Sequence, residues 1–315
     1  MNGRHGVMTN VREGKFDLLC QREIAADIWE MKLRGDCTAI SRPGQFVDVS
    51  VPGFFLRRPI SVANLERVQG AREAELTLVY KVVGEGTAAL ADLSSGATLN
   101  LLTGLGNGFG PVPDMTPDTV PDAGYRSHTS PAGSIRFAPA GSIHPEGSAV
   151  TAEENTDAIC KEGAVLLIGG GVGVPPLYWL ARELRAAGRD VRVVLGFNTA
   201  ADVFYEREFA QLGCAPAVAT ADGSYGVQGF VTTLMPPPDE YSYFYTCGPL
   251  PMLRAVNEVS GRVPGEFSFE ERMGCGYGAC MGCSHHVRLA DGSEGYKRVC
   301  AEGPVLRKEE IIWEK

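Results

Sequence analysis

With 315 residues the chain is long for one compact core, so two or three domains are expected. Apolar residues make up 44% and charged residues 21%, the balance of an ordinary globular protein. A net charge of -9 without any Lys/Arg-rich block argues against nucleic acid and anionic membrane as partners, and no run approaches the roughly 18 apolar residues of a membrane span. The first twenty residues lack the apolar core and cleavage pattern of a signal peptide, so a cytoplasmic location is expected.

Residues 10–108 read as β structure. "FDLLCQREIA", "DIWEMKL", "GQFVDVSV", "RPISVANL" and "ELTLVYKVV" are short runs with apolar or β-branched alternation, separated by turn signals such as "RPG" and "VPG". Five or six such strands without a long helix predict a small antiparallel barrel. Within it, "LRRPISVAN" places Arg58, Pro59, Ile60 and Ser61 on one strand. A guanidinium there can clamp a pyrophosphate, and a hydroxyl can bond a flavin ring edge or a phosphate; an edge strand with a surface Arg reads equally well. "VYKVVGEGTAAL" sets Gly86 and Thr87 just ahead of a short helix, whose N-terminus either binds phosphate or is a plain turn and cap.

Residues 109–161 change character. They are rich in Pro, Gly, Ser and Ala, show no sustained period, and predict a low-complexity insertion or linker between two patterned regions.

Residues 162–264 alternate strand and helix, which predicts a doubly wound parallel sheet with helices on both faces. "AVLLIGGG" is a buried strand running into glycines, and "PPLYWLARELRAAG" a helix with Leu177, Leu180 and Leu184 on one face. "DVRVVLGFN" and "APAVAT" read as strands, "ADVFYEREFAQLG" as a helix between them. The turn "LLIGGGVGVPPL" departs from the strict G-x-G-x-x-G fingerprint, because Val174 fills its last position. Gly170, Gly171 and Gly173 still allow a dinucleotide close to backbone N–H groups, unless they serve strand–helix packing alone. The second strand ends "LGFNTAAD", with no Arg or Lys at its tip for a 2′-phosphate, which favours NAD over NADP. In "YTCGP", Cys247 falls at the carboxyl edge of the sheet, where such sheets bind ligands; a buried structural thiol is the plainer reading.

Residues 265–315 form a cysteine-rich tail. The chain has nine cysteines, of which Cys20, Cys37, Cys160, Cys214 and Cys247 are scattered and four are clustered. Cys275, Cys280 and Cys283 follow C-x4-C-x2-C, and Cys300 follows after sixteen intervening residues. That is the plant-type spacing for a two-iron, two-sulfide (2Fe-2S) cluster, with glycines that let the loop wrap it. A four-cysteine zinc site is the alternative, although zinc sites favour two C-x2-4-C knuckles.

The order of these motifs resembles the ferredoxin reductase-like flavoproteins, and most of all the electron-transfer subunits of class 1B dihydroorotate dehydrogenase. The strings "RRPIS", "YKVVGEGT", "LLIGGGVGVPPL", "YTCGP" and "ERMGCGYGACMGC…YKRVCAEGPV" carry the resemblance, over about 10–108 and 162–313. It implies an FAD-binding barrel, an NAD-binding α/β domain and a small C-terminal 2Fe-2S domain. It implies FAD on Arg58, Pro59, Ile60, Ser61, Val79, Tyr80, Lys81, Gly86 and Thr87, and the cluster on Cys275, Cys280, Cys283 and Cys300. NAD would lie over Gly170, Gly171 and Gly173, with Cys247 beside its nicotinamide. The implied partner is an FMN-containing dihydroorotate dehydrogenase catalytic subunit, in a heterotetramer of two of each. Electrons would run from that subunit through the cluster and FAD to NAD+, in pyrimidine biosynthesis, and no side chain of this chain would act as general acid or base. The alternatives are an NAD(P)H:ferredoxin-type or sulfide-linked reductase subunit with the same cofactors, and a zinc-stabilised binding module.

Overall fold

A computed structural model of the chain describes residues 11–67, 70–113 and 163–313. The expected insertion lies outside the described residues from 114 onward. Six strands, β1 (Arg12–Ala25), β2 (Ile28–Asp36), β3 (Phe46–Ser50), β4 (Arg58–Arg67), β5 (Glu73–Lys81) and β6 (Thr98–Leu105), form a closed antiparallel barrel in the order β1-β2-β5-β4-β3-β6. A short helix, α1 (Glu85–Ala91), links β5 to β6. Side chains alternate between the two faces of each strand, and the inward set fills the interior: Phe16, Leu18, Met31, Leu33, Val47, Val49, Val62, Leu76, Leu78 and Leu101 are all buried there. Phe46 points the other way and joins the core beneath the second sheet.

That second sheet has seven strands in the order β10-β9-β8-β7-β11-β12-β15. Its strands are β7 (Val165–Gly170), β8 (Val191–Phe197), β9 (Ala217–Thr220), β10 (Val227–Gln228), β11 (Tyr243–Cys247), β12 (Gly265–Ser268) and β15 (Val305–Arg307). All pairings are parallel except β15 on β12. Helices α2 (Val174–Ala186), α3 (Glu206–Gln211), α4 (Val231–Leu234) and α5 (Leu250–Val259) accompany it. Leu177, Leu180 and Leu184 of α2 face the core as their spacing predicts, while Trp179 packs on the barrel cluster. Arg182 of α2 donates to Leu65 O at 2.9 Å and to the Asn64 side chain, which ties the sheet to β4. The helix expected over 201–213 is broken: Tyr205 takes a left-handed φ of 64°, with its hydroxyl on Glu30 of the barrel at 2.9 Å, so only 206–211 is α-helical.

Between β12 and β15 the chain makes the cysteine loop and a hairpin, β13 (Ser284–Arg288) with β14 (Glu294–Arg298). Asn107, just beyond the last barrel strand, stitches this region to the barrel. Its amide donates to Glu302 O and Val305 O and its oxygen accepts from Val305 N, at 2.7–3.1 Å. Among the described residues no helix is long and apolar enough to cross a membrane.

Candidate functional site

The barrel ladder opens at one place. β4 and β5 pair from Val62–Leu78 to Arg67–Ala74 and no further. Beyond that pair, the backbone of Arg58 to Ser61 is in register with β3 alone, and that of Val79 to Lys81 with β2 alone. The two segments that the sequence singles out therefore face each other across a splayed gap, each with one backbone edge unpaired by the sheet. Buried backbone groups need partners, so such a gap suits an elongated polar ligand. Ser61 is half-buried, and its hydroxyl makes no hydrogen bond among the described residues. Ile60 and Tyr80 instead turn into the barrel, Tyr80 with its hydroxyl 3.1 Å from Gln21 Oε1. Val79 packs toward the nucleotide sheet, and Lys81 Nζ reaches to 3.8 Å from Asp202 Oδ1.

Arg58 closes one end of the gap. It donates to Leu56 O at 2.6 Å and lies 5.2 Å over the Phe54 ring. Its guanidinium rests against Gly86 so closely that any side chain there would overlap it. The two candidate phosphate-binding pieces, separate in sequence, are thus in contact. The Thr87 hydroxyl serves its own turn, accepting from Val83 N at 2.9 Å and donating to Gly84 O at 3.0 Å. It shapes the loop that carries Gly86.

The glycine turn lies where β8 and β11 leave β7 on opposite sides, the switch point at which doubly wound sheets open a crevice. Its glycines divide by role. A Cβ on Gly173 would overlap the backbone of Cys247, and one on Gly170 would overlap Met252 Sδ; Gly171 has open space beside it and a φ of 51°. Two of the three are needed for packing and the third borders the crevice. Gly173 brings the turn onto Cys247, which is 2% exposed. Burial and the nearby Glu270 carboxylate push the Cys247 thiol up, so a neutral thiol lines the carboxyl edge of the sheet. Glu270 still reaches solvent, yet the protein around it raises its own carboxyl.

The thiols come together as two pairs. Cys275 is half-buried and Cys280 exposed; Cys283 and Cys300 are buried. Burial would raise the Cys275 thiol, but hydrogen bonds from the backbone of Cys280, Tyr277 and Ala279 and from the Cys280 thiol bring it down to about 7. Ala279 N donates to Cys275 Sγ at 3.2 Å, and Cys300 N to Cys283 Sγ at 3.4 Å. Burial, then the Cys283 thiol, raises Cys300 to about 12. Among the described residues no three His, Cys, Asp or Glu side chains gather around one point. Two pairs, 275 with 280 and 283 with 300, would offer two thiolates to each of two irons, so the donor set fits a 2Fe-2S centre. The backbone is left-handed at Gly276, Gly278 and Met281, with φ of 73°, 88° and 61°.

Sequence reading missed Asp48, Asn107 and Glu270. Only the fold brings Asp48 of β3 against Gly276 of the cysteine loop: a Cβ on Gly276 would overlap Asp48 Oδ2. Burial raises the Asp48 carboxyl to about 6, against the pull of Arg57 and Arg58.

Residues 270–312 match the family model for the iron–sulfur cluster binding domain of dihydroorotate dehydrogenase B, and residues 167–258 that for the oxidoreductase NAD-binding domain. The chain is 37% identical over 303 residues to the dihydroorotate dehydrogenase B (NAD(+)) electron transfer subunit of Lysinibacillus sphaericus, covering 95% of this chain and 98% of that one. It is 41% identical over 304 residues to the subunit of the same name from Bacillus caldolyticus, with the same coverage. Among solved structures it is similar to a chain of an NADH-dependent reduced ferredoxin–NADP oxidoreductase, with a TM-score of 0.66, 25% identity, and coverage of 95% of this chain and 90% of that one. The fold is shared with phthalate dioxygenase reductase, at a TM-score of 0.53, 16% identity, and coverage of 90% and 75%.

Proposed function

Since the chain belongs to the dihydroorotate dehydrogenase B (NAD(+)) electron transfer subunits, we propose that it carries electrons from an FMN-containing catalytic subunit, which oxidises dihydroorotate to orotate, to NAD+. The step serves pyrimidine biosynthesis. When bound, FAD exchanges hydride with nicotinamide and single electrons with the cluster, which makes the trio a converter between two-electron and one-electron chemistry.

The residues of this chain position and insulate. Arg58, braced by Gly86, Leu56 O and Phe54, offers its remaining N–H groups to the FAD pyrophosphate. Ser61, whose hydroxyl has no protein partner among the described residues, lies toward the isoalloxazine. Val79 and Lys81 line the gap with unpaired backbone edge, while Pro59, Ile60, Tyr80 and Thr87 hold its walls in shape. Gly171 borders the dinucleotide, Gly170 and Gly173 fit the turn to its neighbours, and Cys247 presents a small uncharged surface to the nicotinamide. The Glu270 carboxylate is close enough to Cys247 to raise its thiol. Cys275, Cys280, Cys283 and Cys300 hold the cluster. The chain acts as a relay, and no side chain serves as acid or base toward dihydroorotate.

The observation that carries this reading is the splayed end of β4 and β5, which brings Arg58 to Ser61 opposite Val79 to Lys81. We read the assembly as a cytoplasmic heterotetramer, two copies of each subunit. The test is anaerobic purification with iron, zinc and flavin counted. About one FAD and about two irons per chain are expected, with NADH reducing both and an FMN protein co-purifying in equal amount. Zinc in place of iron would sink the cluster assignment. Dihydroorotate turnover by the isolated chain would sink the relay, and co-purification with a different redox partner would point to another reductase of the same build.

A further inference from the structure

Asp48 is a carboxylate without a settled partner, at the junction of barrel and cysteine loop. It is 3% exposed and sits opposite Pro59 across β3 and β4. Oδ1 has no hydrogen-bond partner, and Oδ2 lies hard against Gly276. Neither nearby arginine pairs with it. Arg57 Nη2 goes to Glu13 at 2.7 Å and Asn100 Oδ1 at 2.8 Å, its Nη1 to the Asp48 backbone carbonyl at 3.2 Å, and Arg58 Nη1 to Leu56 O. Burying a carboxylate this poorly satisfied costs folding free energy. Native proteins keep few such groups, and a redox role is one reason to keep one.

We propose that Asp48 tunes the cluster: its carboxylate, lodged between β3 and the loop that carries Cys275, lowers the cluster's reduction potential. The inference rests on the cluster assignment above. Reduction adds an electron to the cluster, and a fixed anion nearby in a poorly screened interior opposes the added charge. The N–H groups of Ala279 and Cys300, aimed at Cys275 Sγ and Cys283 Sγ, act in the other direction. Gly276, left-handed and without a side chain, is what admits the carboxylate so close.

The experiment compares wild type and Asp48→Asn, which keeps shape and removes charge, as the intact complex with its catalytic subunit at pH 8. Potentiometric titration is followed by electron paramagnetic resonance of the reduced cluster, with iron counted in each sample. At fixed ambient potential the reduced-to-oxidised ratio of the variant cluster should rise about tenfold, which is about 59 mV for a one-electron couple. Asp48→Ser, smaller and neutral, should shift the same way and serves if Asp48→Asn folds poorly. Variants with full iron content and a wild-type potential would overturn the inference and leave the cluster assignment standing. Variants that lose iron while the remaining cluster keeps its wild-type potential would make Asp48 merely structural and also overturn it. Wild-type protein without iron would instead overturn the assignment on which it rests.

Discussion

The barrel presents Arg58 and Ser61 on a filled interior, whereas the loop from Gly274 to Cys283 presents its thiols with hardly an apolar side chain buried. Phe16, Met31, Leu33, Leu76 and Leu78 are wholly enclosed, and they fix the strands from which Arg58 and Ser61 project. In the loop, Tyr277 and Met281 are 52% and 53% exposed, and three residues hold left-handed backbone. One region is shaped by its own folding before any ligand arrives. The other lacks such a core and would gain order from a metal held by its thiols, because metal binding there is also folding free energy.

The hardest blow to that contrast would come from the buried ligands. Cys283→Ser or Cys300→Ser should remove essentially all bound iron while FAD stays near its wild-type content, read by iron analysis and flavin absorbance. Simultaneous loss of FAD would mean the two regions do not form separately. Next in size, stripping iron with a chelator under reducing conditions should speed proteolytic cutting within 270–300 by about tenfold or more, with the barrel fragment surviving intact. An equally protected loop would show that it is preformed. On the barrel side, Gly86→Ala drives a methyl into the Arg58 guanidinium. It should weaken FAD about 10- to 100-fold, the cost of one or two lost charge-assisted hydrogen bonds, with iron content unchanged; flavin fluorescence titration measures it.

The smallest effect concerns stability and pH. The fold raises the Asp48 carboxyl from 3.8 to about 6, so the native state holds that proton more tightly than the unfolded chain does. Stability from this group is therefore complete below about pH 4, declines as pH rises to about 6, and is flat beyond. Asp48→Asn avoids the loss, and should gain about 1–3 kcal/mol at pH 8 in urea unfolding, shrinking as pH falls through 6 toward 5. A gain that does not change with pH would trace to packing and not to charge.

Much of this was readable in the chain. Period-two alternation gave away β1 to β5, and the leucines of α2 announced their face, because burial imposes those repeats directly. The iron–sulfur domain was legible because its cysteines are packed into one short, glycine-rich loop. The rest depends on partners distant in sequence. Nothing in "RRPIS" or "YKVV" tells that pairing stops at Val62 and Leu78, since strand divergence is a property of the closed barrel. The letters of the glycine turn do not say that Gly173 makes room for Cys247 while Gly171 borders open space. The expected helix over 201–213 read as continuous because no local signal marks Tyr205, whose turn is fixed by Glu30 on the barrel. Asp48 is an outward-facing strand residue in any one-dimensional reading.

The cysteine loop and its hairpin leave the seven-stranded sheet at β12 and rejoin it at β15, next door. Such an excursion is fastened at both feet, and Asn107 rivets it to the barrel as well. It cannot swing like a carrier on a tether. The gap an electron must tunnel through inside this subunit is built into the scaffold, so the pace of that hop is governed by driving force and not by an arm in motion.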